Sequence, residues 1–206
     1  MRALIFGILL ALAGQSPASG EAVNFDGQPG GQPPSGWTCG ITGSGTGTWR
    51  VEEDARAHSP PHVLTQRGRA DFSWCVQDAV SLENGTVSVW FKPLQGKEDQ
   101  AGGLVWRWKD ANTYYVARGN ALENNVSLYY VTGGVRRTIK YQAAPVAPAI
   151  WHRLEVRFDG ERIEVLLDDK SYINLTDRRI RGDGKTGVWT KADSVTSFDD
   201  FRVLPK

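Results

Sequence analysis

Almost nothing in this chain repeats with the 3.6-residue period of a helix; only Asp177–Arg181 could form a single turn, so helical architectures are excluded. Its three histidines, His58, His62 and His152, are dispersed, and no Ser-His-Asp or Cys-His arrangement can be read from their spacing. Two cysteines, Cys39 and Cys75, have no histidine ligands beside them, which excludes a zinc site of the usual pattern. No dense D-x-D-x-D loop is present, and no segment repeats at a fixed period. There is also no charge excess: 24 basic residues face 23 acidic ones. Nucleic acid is therefore not an expected partner, because phosphate binding needs a strong basic surplus. An electrostatic membrane anchor is excluded for the same reason.

What is present begins with an export signature. Met1 and Arg2 form a short positive start, Ala3 to Ala13 is apolar but too short to span a bilayer, and the small-residue run SPASGEA follows. Residues 1–20 read as a secretory signal peptide, with cleavage after Gly20 or Ala22, leaving 21–206 as one domain. The run LALAG resembles a lipoprotein signal, yet Gln15 stands where a lipidated cysteine would be required. The expectation is an exported protein, periplasmic or extracellular, with no lipid anchor. In that compartment Cys39 and Cys75 read as a disulfide ahead of two separate buried thiols. Closing that loop stabilises by about 3–4 kcal/mol on the chain-entropy model.

The rest reads as strands. Extended segments are expected at Ala22–Phe25, Trp49–Val51, Val63–Gln66, Ala70–Val76, Thr86–Lys92, Gly103–Lys109, Tyr114–Arg118, Val126–Thr132, Val135–Tyr141, His152–Phe158, Arg162–Leu167, Thr186–Thr190 and Phe198–Leu204. Gly27 to Gly47, rich in Gly, Pro, Ser and Thr, reads as a long connection. Thr86–Lys92 alternates strictly, with Val87, Val89 and Phe91 on one face; Leu154, Val156 and Phe158 repeat the pattern. Gly133-Gly134 and Asp159-Gly160 mark hairpins. The class is all-β: a two-sheet antiparallel jelly-roll sandwich.

One stretch stands out chemically. From Ala101 to Tyr130, Trp106, Arg107, Trp108, Tyr114, Tyr115, Arg118, Tyr129 and Tyr130 crowd aromatic rings beside arginines. Rings cover the apolar C–H faces of a sugar, and Arg, Lys, Asp and Asn bond its hydroxyls. Tryptophans can equally fill a core, and arginines can snorkel along strands.

The order of several motifs resembles the concanavalin A-like lectin/glucanase sandwich. More narrowly, it resembles bacterial exported 3-keto-disaccharide hydrolase domains, related in fold to family 16 glycoside hydrolases. These motifs are VNFDG, GTWRVEED, GTVSVWFKP, GGLVWRWKDANTYYVARGN, WHRLEVRFDGERIEVLLD and GKTGVWTKADSVTSFDDFRV. The resemblance implies a carbohydrate partner and raises calcium as a candidate ion at Asp26, Asp199 and Asp200. It does not extend to the family 16 acid pair, Glu-x-Asp-x-x-Glu; the nearest segments, RLEVRFDGE and RIEVLLDD, lack that spacing. A glycosidase needs two carboxyls about 5–9.5 Å apart across the bond, and no such pair can be read.

Strand alternation then assigns a ligand face. With Val87, Val89 and Phe91 inward, Trp90 and Lys92 point into the concave side. With Leu104 and Trp106 inward, Arg107 is expected to point the same way as Lys92, into the concave side. Tyr114, Arg118 and Tyr129 follow toward the groove, and Trp189 and Lys191 toward its rim. Trp106 and Trp108 both read as core. Three functions compete: a lectin-like module without catalysis, an enzyme processing 3-keto-glycosides through one base and an electrophilic cation, and an adhesion module.

Overall fold

The computed structural model describes residues 22–206; the expected signal peptide lies outside the described residues. Fourteen strands follow one another in the chain. They are β1 (Trp37–Thr46), β2 (Trp49–Glu53), β3 (His62–Gln66), β4 (Arg69–Leu82), β5 (Gly85–Gln95), β6 (Ala101–Asp110) and β7 (Thr113–Asn120). Then come β8 (Asn125–Thr132), β9 (Val135–Ala143), β10 (His152–Asp159), β11 (Arg162–Leu167), β12 (Lys170–Thr176), β13 (Gly184–Ala192) and β14 (Val195–Pro205). No helix occurs among the described residues, and Asp177–Arg181 is irregular.

The strands form two seven-stranded antiparallel sheets. The front sheet has the order β1-β4-β13-β6-β7-β8-β9, and the back sheet β12-β11-β10-β5-β14-β3-β2. Alternation places the core as expected: Val87, Val89, Leu154 and Val156 are fully buried and meet Leu104, Trp106, Tyr115 and Val188 of the front sheet. The sheets approach closely at Phe91, whose ring lies against Gly119; a Cβ there would come within 2.7 Å of it. Gly133 and Gly134, both at positive φ, make the β8–β9 turn.

Three elements depart from the sequence reading. Ala22–Phe25 contributes only an isolated bridge, Val23 to Phe201. The Gly-rich segment read as a connection contains β1, whose Cys39 pairs opposite Cys75 on β4 and forms a disulfide with it. Gly40 is required there, because a Cβ would stand 2.6 Å from the Trp74 ring. Strand β12, with its bulge between Val165 and Leu166 of β11, also lacked a clean signal.

The front sheet curls strongly. Strand β1 lies four strands from β7, which in a flat sheet is about 19 Å. Yet the Thr42 hydroxyl lies 2.9 Å from that of Tyr114. Arg136 on edge strand β9 likewise reaches Phe72 on β4, its guanidinium 5.0 Å from the ring centre. The outer face of the front sheet is therefore concave.

Candidate functional site

That concave face carries a second hydrophobic cluster, separate from the inter-sheet core. Trp74, Val76, Val105, Tyr114, Val116, Tyr129, Val131 and Trp189 form it, with Phe72 and Trp108 packed at its margin. Strand parity explains the set: Phe72, Trp74 and Val76 alternate along β4, and Trp189 and Lys191 do so along β13, facing them in register. Trp74 and Trp108 pack with centroids 5.0 Å apart, and Phe72 stacks on Trp189 at 5.6 Å. Thr42 ties the cluster together. Its hydroxyl donates to the Ala111 carbonyl and accepts from the Trp74 indole N–H at 3.2 Å. Burial pushes the Tyr129 hydroxyl up to about 12, against the pull of Arg118, so both ring and hydroxyl stay neutral.

Charged groups rim this floor. Asp99, fully buried, accepts two bonds from Arg118 (2.9 and 3.1 Å), one from Asn120 (2.7 Å) and one from Lys191 (2.8 Å). Arg118 also bonds Glu123 at 2.7 Å. Burial alone would lower the Arg118 guanidinium; the charge of Asp99, with Tyr129 and Glu123 beside it, outweighs this and raises it. Next to Phe72 opens a cleft of about 340 Å³, walled by Ser44, Arg69, Asp71, Glu98 and Lys191. A similar hollow of about 390 Å³ near β11 is walled by Arg157, Asp159, Arg162, Glu164 and Lys206. Its charges pair with one another, Lys206 with Asp159 and Arg157 with Glu164.

The expected ligand residues do not share one face. Tyr114, Arg118, Tyr129 and Trp189 belong to the concave cluster or its rim, on the front sheet. Trp90 and Lys92 require correction: they face outward from the back sheet, because β5 pairs with β10 and β14. There Trp90 stacks under His58 at 3.9 Å, and Lys92 bonds Asp54 at 3.0 Å while lying over the Trp151 ring. Arg107 requires correction too. It adopts positive φ in an irregular stretch of β6 and donates to the carbonyls of Ile180, Glu83 and Gly160. It is a buried clamp between three turns, and burial lowers its guanidinium. The same irregularity turns Trp108 away from the core position expected for it, onto the concave cluster.

Asp26, Asp199 and Asp200 do converge. Their oxygens, however, are engaged by protein donors: Asp26 by His62 N–H and Asn24, Asp199 by the N–H groups of Ser59 and Asp200, and Asp200 by His58. Burial raises Asp199 to about 7, the two backbone donors oppose this, and the charges of Asp200 and Asp26 reinforce it. Among the described residues no group of three or more His, Cys, Asp or Glu side chains is arranged to hold a metal ion. The fit to calcium is therefore poor.

Sequence reasoning passed over Phe72, Trp74 and Arg136 as site residues. The alternation Ala70-Phe72-Trp74-Val76 was legible, but an all-apolar stripe reads as core, and here it faces away from the core.

The fold is a two-sheet antiparallel jelly-roll sandwich. No protein-family model matches the chain, and no curated protein does. Solved structures do. The carbohydrate-binding module CBM66 of Bacillus subtilis superposes with a TM-score of 0.68 at 22% identity, covering 82% of this chain and 95% of the module. The β-glucanase of Bacillus licheniformis gives 0.58 at 11% identity, covering 87% and 96%. Domain 4 of the extracellular arabinanase AbnA from Geobacillus stearothermophilus, solved with arabinotriose, gives 0.55 at 14% identity, covering 89% and 93%. At these identities the likeness establishes the fold.

Proposed function

We propose that this chain is an exported carbohydrate-engaging sandwich that binds a saccharide on the concave face of its front sheet without turning it over. The observation that carries this is that Phe72 and Trp108, only partly buried, cap the buried rings of Trp74 and Trp189 on the outer face of the front sheet, beside a polar cleft. Trp74 and Trp189 lie buried beneath these two rings, so Phe72 and Trp108 are the aromatic surface offered to the apolar face of a sugar. The disulfide and the signal-like leader support export, and the neighbouring sandwiches include saccharide binders by name.

Processing of 3-keto-glycosides needs a base at the groove. Asp99 is held through both oxygens by Arg118, Asn120 and Lys191, while Glu123, Asp71 and Glu98 are each held through one, by Arg118 and Asn125, by Ser44 and by Arg69. Binding is the reading placed first. It is tested by titrating a glycan panel, with 3-keto-glucosides and their unoxidised parents included, while following heat and released sugar. Binding without release, weakened about tenfold or more in Phe72→Ala at unchanged melting temperature, is the expected result. Release from the keto compounds alone would replace it with the enzyme reading. Silence across the panel would overturn both.

A further inference from the structure

Among the described residues, Arg136 on the concave face forms no ion pair. The Arg136 guanidinium lies 4.2 Å from the Tyr129 ring centre, 5.0 Å from Phe72 and 5.8 Å from Trp189. The other cations around it all have carboxylate partners: Arg118 with Asp99 and Glu123, Lys191 with Asp99, Lys185 with Asp78 and Arg69 with Glu98. Among the described residues no carboxylate pairs with Arg136, and its Nη1 is buried without any hydrogen-bond partner. Three further buried groups of this face are unsatisfied: Arg118 Nε, Trp108 Nε1 and Trp189 Nε1. All four are donors, so the face is short of acceptors.

A half-buried guanidinium without a partner is costly unless a ligand completes it. Burial lowers its guanidinium, helped by repulsion from Arg118 and opposed by Tyr129, Tyr141 and Asp99. Of the rings around it, the partly exposed Phe72 suits a sugar ring, and the planar guanidinium fork matches a carboxylate in two parallel bonds. We infer that the saccharide bound in this groove carries a carboxylate, a uronic acid residue, seated on Arg136 beside the Phe72 wall of the cleft. This rests on the groove reading above and narrows it to a ligand class.

The test compares oligogalacturonate, oligomannuronate and a glucuronate-containing oligosaccharide with their methyl esters, by calorimetry on the purified protein. Esterification keeps size and hydroxyls and removes the charge. The expected result is that at least one acid binds roughly tenfold to a hundredfold more tightly than its ester. The preference weakens with added salt, disappears in Arg136→Gln and survives in part in Arg136→Lys. Melting temperatures of both variants establish that they fold. If Arg136→Gln is unfolded, the ester comparison in the unaltered protein decides alone. Equal binding of acid and ester, a preference kept in a folded Arg136→Gln, or tighter binding of sulfated carrageenan fragments overturns the inference. Binding of neutral glycans alone, lost in Phe72→Ala, overturns it while leaving the groove reading intact. Absence of any glycan binding removes both.

Discussion

The two outward faces of this sandwich are built from similar residues and do opposite things. Both carry tryptophan beside cations. On the back sheet, Arg153, Glu155, Arg157 and Glu164 form a chain of ion pairs, Lys92 is held by Asp54, and Trp90 is covered by His58. On the front sheet the rings form a continuous apolar floor and Arg136 is left without an ion-pair partner. Residue type does not separate the two faces; the state of pairing does. An aromatic beside an arginine signals a site only where the arginine has nothing else to bind.

The largest predicted effect comes from breaking the front floor. Trp189→Ala removes a fully buried indole between Phe72 and Trp74 and should cost about 3–5 kcal/mol in denaturant unfolding. A loss under about 1 kcal/mol would mean the floor is loose surface and not a second core.

A smaller effect belongs to the back face and depends on pH. The folded state holds the proton of Asp199 more tightly than the unfolded chain, with a pKa of about 7 against 3.8. Its contribution to stability is full below 3.8 and is lost as pH rises through about 7. Over that window Asp199→Asn should flatten the decline by at most about 1.4 kcal/mol per pH unit. An unchanged slope would mean that the carboxylate is already ionised throughout.

The smallest effect sharpens the contrast. Trp90→Ala removes a half-covered ring stacked on His58 and should cost about 1 kcal/mol of stability. Affinity for any glycan bound by the protein should stay unchanged. A loss of binding equal to that of Phe72→Ala would move the site to the back sheet.

Much of the fold was legible, because period-two alternation reports which side of a strand is buried. Val87, Val89, Phe91, Leu154 and Val156 all lie where that pattern puts them. Alternation does not report which sheet a strand joins. Strands β5 and β6 are neighbours in sequence and lie in opposite sheets, so Trp90 and Arg118 were drawn to one groove and sit on opposite sides of the molecule. Nor does it survive an irregularity: the positive φ at Arg107 breaks the parity and sends Trp108 outward. Strand β1 was hidden because its glycines, which read as loop, are needed where Trp74 and Asp71 crowd the backbone.

The eight tryptophans allow the account to be tested in one spectrum. Trp74, Trp108 and Trp189 belong to the concave floor, Trp90 and Trp151 to the back face, and Trp37, Trp49 and Trp106 to the core. A proton–nitrogen NMR titration with a bound oligosaccharide would follow each indole N–H separately. Shifts concentrated at Trp74, Trp108 and Trp189, with Trp90 and Trp151 still, are the predicted result. Shifts at Trp90 and Trp151 with the concave floor silent would contradict it.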